Sequence, residues 1–244
     1  MFKRTEENVL AFVLLFAVIG TAAHLVNVST VWGPAGQHFT LFDFFSALPA
    51  AFLGLWSGLA AVLIAKLAAV LVLGMPLDGA TMLRLLPPLA AGAFFYAYKK
   101  NVQTNGTKTK LVQFFQFGFP LLAIGLFIFH PAIFGTAAML FALYWTIPII
   151  AALLPSNLYL RALGATFSQH AMGGVLWLYF VPGFANPSIW LALIPVVAIE
   201  RTVFAGGIAV SYKVVDVAVN RVSAFLRTAD GRPAVSPQAV RKKK

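Results

Sequence analysis

Leu59-Ala-Ala-Val-Leu-Ile-Ala-Lys66-Leu-Ala-Ala-Val-Leu-Val-Leu-Gly-Met75 is the stretch that decides the fold. A single charge interrupts an apolar run that contains no proline and no acid. An α-helix rises about 1.5 Å per residue, so about 20 apolar residues cross a bilayer core about 30 Å thick, fewer where the segment is short or partly buried. Working outward, comparable runs lie at 9–31, 39–57, 80–98, 111–129, 132–154, 158–182 and 188–214. The runs 39–57 and 59–75 are short and divided only at Ser57-Gly58, so they form either two spans or one broken hairpin. The expected architecture is therefore an all-α, polytopic transmembrane helical bundle of six to eight spans.

Composition agrees. Of 244 residues, 60% are apolar and only 10% charged, whereas an ordinary soluble domain carries about a quarter charged residues. A water-soluble globule of this length cannot hide so much apolar surface. There is no cysteine, which excludes disulfides, thiolate catalysis and Cys-metal sites.

The net charge of +11 would suit nucleic acid, but its placement points elsewhere. Basic residues gather at Lys3 and Arg4, at Lys99, Lys100, Lys108 and Lys110, and from Lys213 to Lys244. Clusters flanking apolar spans report topology and attraction to anionic headgroups, so the partner implied is the lipid bilayer and not nucleic acid. Starting inside, eight spans place 99–110, 155–157 and the C-terminal tail in the cytoplasm. The outside loops 32–38, 76–79, 130–131 and 183–187 then contain no Lys or Arg. Both termini are expected to be cytoplasmic, in the cell membrane. The first run is too long for a signal-peptide core and lacks a convincing cleavage site, so it reads as a retained helix. Trp32, Trp177 and Trp190 are expected at the outer interface and Trp56 at the inner one.

Three segments follow: a transmembrane domain over 1–212, an amphipathic cytoplasmic helix over 213–227, and a disordered basic tail over 228–244. Lys213, Asp216, Asn220, Ser223 and Arg227 make a polar stripe opposite Val215, Val219, Val222, Phe225 and Leu226, suited to a membrane surface or a partner groove. Pro49, Pro87, Pro88, Pro120, Pro148 and Pro195 are expected to bend their helices. Ala50, Gly54 and Gly58, then Ala61, Ala65 and Ala69, form small-residue ridges for close packing within the chain.

No G-x-x-x-x-G-K-[ST] motif is present, so the chain has no P-loop for ATP. No metal-ligand spacing links His24, His38, His130 and His170. His170-Ala-Met-Gly173 resembles the His-x-x-Gly of rhomboid-like intramembrane proteases, but Leu55 stands where the nucleophile motif around Ser57 needs glycine. The chain is therefore read as a non-enzyme without cofactors.

The informative residues are ionisable or polar groups inside the spans, each costly unless paired or used. They are Asp43, Lys66, Arg84, Gln169, His170, Glu200 and Arg201. Asp43, Asp78 and Glu200 balance Lys66, Arg84 and Arg201, so internal pairing and a substrate site are both available readings. Glu200 and Arg201 project about 100° apart on a helix and are expected to find different partners.

From Phe39 to Lys100 the chain resembles the substrate-binding S components of energy-coupling factor (ECF) vitamin transporters. The resemblance rests on Thr40-Leu-Phe-Asp43, on the Gly54-x-x-x-Gly58 turn, on Lys66, and on Leu77-Asp-Gly-Ala-Thr-Met-Leu-Arg84 leading into Leu86-Pro-Pro-Leu-Ala-Ala-Gly92. It implies capture of a vitamin-like small molecule near the outer face, with a separate transmembrane coupling subunit and separate ATPase subunits. Arg84 and Arg201 would hold an anionic group, and Asp43, Gln169 and His170 would orient it. The alternative is a non-catalytic accessory or assembly subunit of a larger membrane complex.

Overall fold

The computed structural model describes residues 6–31, 37–98 and 107–229. Lys3, Arg4, Trp32, Lys99, Lys100 and the tail after Ala229 lie outside the described residues. Four helices among those described are long and apolar enough to cross a membrane: Leu55–Val72, Gly79–Ala97, Lys110–Ile128 and Pro187–Arg221. Shorter apolar helices cover Val9–Ala23, Phe42–Leu53 and Ala137–Leu153. Leu14, Val18, Leu71, Val72, Leu121 and Leu153 all lie exposed on the outside. A surface clothed in large apolar side chains suits lipid and not water.

The first run is helical only as α1, Glu6–Ala23. It was expected to continue to residue 31, but β1, Asn27–Val31, pairs antiparallel with β2, Gln37–Thr40. The β-branched cluster Val28, Thr30 and Val31 favours an extended strand once the helix has ended. This hairpin is the one departure from an all-helical chain among the described residues.

The next run is divided. α2 (Phe42–Phe45) and α3 (Leu48–Leu53) are followed by α4 (Leu55–Val72). The break lies at Gly54 and not at Ser57-Gly58, because Gly54 takes φ +85, a conformation that costs glycine little and other residues much. Gly58 then serves a different end: a Cβ there would strike the backbone of Ala50, so α3 and α4 meet at van der Waals distance. Ala61, Ala65 and Ala69 are fully buried, and a Cβ on Gly20 of α1 would lie 3.2 Å from that of Ala65. Both small-residue ridges are spent on contacts inside the chain.

Five of the six prolines expected to bend helices stand in the first turn of a helical segment instead. Pro49 opens α3, Pro87 and Pro88 open α6 (Leu86–Ala97) after the short α5 (Gly79–Leu83), and Pro148 opens α9 (Ile147–Leu153). Proline is tolerated in a first turn, where its missing N–H would have no helical partner anyway. Pro120 starts α8 (Phe119–Ile128), which follows α7 (Thr107–Gln113) through a π-helical turn over Phe114–Gly118. Gln116 of that turn is buried and donates to the Ala97 carbonyl at 2.7 Å, capping α6. Pro195 sits well inside α11 (Pro187–Ala229).

A 3-10 helix, Ala137–Thr146, precedes α9. With three residues per turn it stacks Ala138, Phe141 and Tyr144 in one column, and Ala142 with Trp145 in the next. α10 (Leu158–Phe180) runs through the centre, packed on α6, α8, α9 and α11. The stretch over 213–227, expected as an amphipathic helix, is helical as the continuation of α11.

Candidate functional site

The two ends of the bundle differ. One gathers the Phe52, Tyr98, Asn157 and Tyr212 contacts: Phe52 stacks on Tyr212 at 5.3 Å, and the Asn157 N–H donates to Tyr98 Oη. Arg161 lies over the Phe95 ring at 3.8 Å there and donates to the Phe95 carbonyl. The opposite end holds the hairpin, His130 edge-on to Tyr179, and the loop carrying Phe184. Near this second end a pocket opens between α10 and α11.

Its wall is mostly aromatic. Phe39 comes from β2, Trp177 from α10, Phe184 from the loop and Trp190 from α11, with Pro87 of α6 beside them. Trp177 and Trp190, expected near the outer interface, are buried in the pocket wall, and Trp56 is exposed. The Trp190 indole donates to the Phe184 carbonyl at 2.7 Å, which ties the loop to α11 and fixes both rings. Gly173 and Gly174 complete the α10 side. A Cβ on Gly173 would meet only Pro87, at 3.7 Å, whereas one on Gly174 would lie 2.6 Å from Trp145 Cζ2. Gly173 thus leaves open space, and Gly174 makes room for a neighbour. The cavity volume is about 100 Å³, room for several waters or one small organic molecule at roughly 10–15 Å³ per water.

The polar rim of the pocket brings together four of the seven residues singled out from sequence: Gln169, His170, Glu200 and Arg201. Arg201 is fully buried and its Nη2 meets Glu200 Oε2 at 2.7 Å. The expectation that these consecutive residues find different partners fails because the arginine side chain is long enough to turn back along α11. Its other amine reaches Thr166 Oγ1 on α10 at 3.4 Å, and its guanidinium packs on Phe39 at 4.2 Å and Phe204 at 4.6 Å. Trp145 Nε1 donates to His170 Nδ1 at 3.1 Å, so that nitrogen is an acceptor and the ring proton of the neutral imidazole sits on Nε2.

Asp43 is buried behind this rim. It accepts from Gln169 Nε2 at 2.7 Å and from the Thr40 N–H at 3.0 Å. The bonding partner is an amide and not the cation that simple charge balance suggested. Since a carboxylate only accepts, the bond also fixes the orientation of the amide: Gln169 Nε2 faces Asp43 and Oε1 is left as an acceptor. Two atoms of the rim have no hydrogen-bond partner among the described residues, Gln169 Oε1 and Arg201 Nε.

The remaining candidates stand apart. Lys66 on α4 is half-buried with its Nζ 5.1 Å from the Phe42 ring, a cation–π geometry. Arg84, expected to anchor an anionic ligand, is exposed at the end of α5 and does not line the pocket. Asp78 is exposed and caps α5 through the Thr81 N–H at 2.8 Å, and the bonds from Thr81 hold its carboxyl below the usual range. Sequence reasoning missed Trp145, Thr166, Phe39 and Phe184, because a ring or hydroxyl that supports a site from another element carries no local signature. The one available hint was Gly173-Gly174, a notch directly after His170.

Fold and site together define a class: a helical bundle of membrane type with an aromatic, polar-rimmed pocket at one end. No protein-family model, curated protein or solved structure matches the chain.

Proposed function

We propose that this chain is the membrane-embedded substrate-binding subunit of a small-molecule importer, capturing its ligand from outside. The observation that carries the reading is the pocket, which lies at the end whose connecting segments, 24–41, 73–78, 129–136 and 181–186, contain no Lys or Arg, with Arg84 a short way beyond the second. By the positive-inside rule that end faces outward, with both termini in the cytoplasm and eight helical passes. A concave, mostly aromatic cavity with a few convergent polar groups is what a small-molecule site requires. The chain has no P-loop, so energy for uptake would come from partners, a coupling subunit and ATPases of the kind the ECF resemblance implies.

The competing reading, an assembly subunit, draws on the Glu200–Arg201 pair, which neutralises the rim without any ligand. Native mass spectrometry of the purified protein separates the two. A small molecule should remain bound to the wild type and be missing from Gly173→Leu, whose side chain fills the cavity with little backbone conflict. The melting temperature of the ligand-free variant should match that of ligand-free wild type. A wild type that carries no small molecule, and whose melting is unmoved by a metabolite library, would favour the assembly role.

A further inference from the structure

We propose that the pocket takes an uncharged planar ring compound. This rests on reading the pocket as a ligand site and names the class of ligand.

Charge comes first. Glu200 and Arg201 cancel at 2.7 Å, the Asp43 carboxylate is taken up behind the rim by Gln169 Nε2 and the Thr40 N–H, and His170 Nδ1 accepts from Trp145 at 3.1 Å. An anion would have to displace Glu200 from Arg201, leaving a carboxylate only 11% exposed without that partner. A cation would displace Arg201 in the same way. Either charged ligand loses its hydration and gains no net counter-charge, which is costly in a water-poor site. An uncharged ligand leaves the pair intact.

Hydrogen bonding comes second. Gln169 and Arg201 are 4% and 0% exposed, both line the pocket, and each keeps one unpartnered atom among the described residues. Both atoms are closed off from the cavity, so they lie behind its wall and a ligand need not pair with them. Shape comes third: Trp177, Phe184, Trp190 and Phe39 present ring surfaces, and a cavity of about 100 Å³ suits a single ring with one substituent.

The wild-type protein can be tested directly with three probes of nearly equal shape. Benzamide is uncharged, benzoate carries a negative charge and benzamidine a positive one. Binding is read by quenching of tryptophan fluorescence and by thermal shift in detergent, since Trp177 and Trp190 line the site. Benzamide should bind at least about tenfold more tightly than either analogue, and Gly173→Leu should abolish the difference. Benzoate or benzamidine binding as tightly as benzamide, or no binding of any probe, would each overturn the ligand class. If Gly173→Leu still releases a co-purified molecule in those cases, the pocket reading survives and only the class falls. Benzamide binding unaffected by Gly173→Leu would instead remove the site from this pocket.

Discussion

Adjacent glycines of α10 have opposite jobs. Gly174 lies where a Cβ would come within 2.6 Å of Trp145, so Gly174→Ala should lower stability by about 1–3 kcal/mol through overpacking. It should also disturb the indole that donates to His170. Melting of Gly174→Ala beside Gly173→Leu checks the contrast, and equal losses would contradict it. Arg201 gives a second expectation. Replacing it with Met leaves Glu200 partly buried without its cation, and breaking such a pair costs about 3–5 kcal/mol. Combining it with Glu200→Gln should recover part of that loss, a coupling that a double-mutant cycle measures. Arg84→Ala, by contrast, should leave ligand binding unchanged, since the exposed guanidinium lies outside the pocket. A large loss of affinity there would restore the anchoring role that sequence alone suggested.

Among the elements, the α3–α4 hairpin is held by contact of backbone on backbone. Gly58→Leu should drive the two helices apart and prevent accumulation in the membrane, because the obstacle is the main chain of Ala50 and not a movable side chain. A well-expressed Gly58→Leu protein with normal melting would refute that packing. Gln116 is a gentler case. Its π-helical turn presents the amide that caps α6, and Gln116→Leu should cost about 1–3 kcal/mol by leaving the Ala97 carbonyl without its donor. The prolines show why element boundaries resisted reading. Pro49, Pro87 and Pro148 were visible, but whether a proline kinks a helix or begins a new one depends on what receives the freed carbonyls, which neighbouring helices decide.

For the whole molecule, topology is the property to test. Reporters placed near Gly106 and after Lys244 should be cytoplasmic and one near Pro34 external, since every basic cluster between or beyond the apolar runs falls on one side. An external reporter near Gly106 would invert the bundle and turn the pocket toward the cytoplasm. Removal of residues 230–244 should leave membrane accumulation intact, as this segment carries few apolar residues to bury.

The amino-acid pattern alone determined that this is a helical chain with apolar runs fit for a membrane, because hydropathy over about 20 residues is a local sum. It also located four of the pocket's polar residues, since a charged or amide group in an apolar run is conspicuous wherever it points. Which of them meet was settled by tertiary structure. Asp43 and Gln169 are separated by 126 positions yet share a hydrogen bond, while Arg84, equally conspicuous, is stranded at the end of a helix five residues long. The aromatic wall was similarly hidden: Trp190 in sequence looks like any interfacial tryptophan, and only packing against Phe127 and Phe141 makes it part of a core. Partition into lipid depends on each segment's own atoms. A pocket depends on the distances between segments, and the fold alone supplies those.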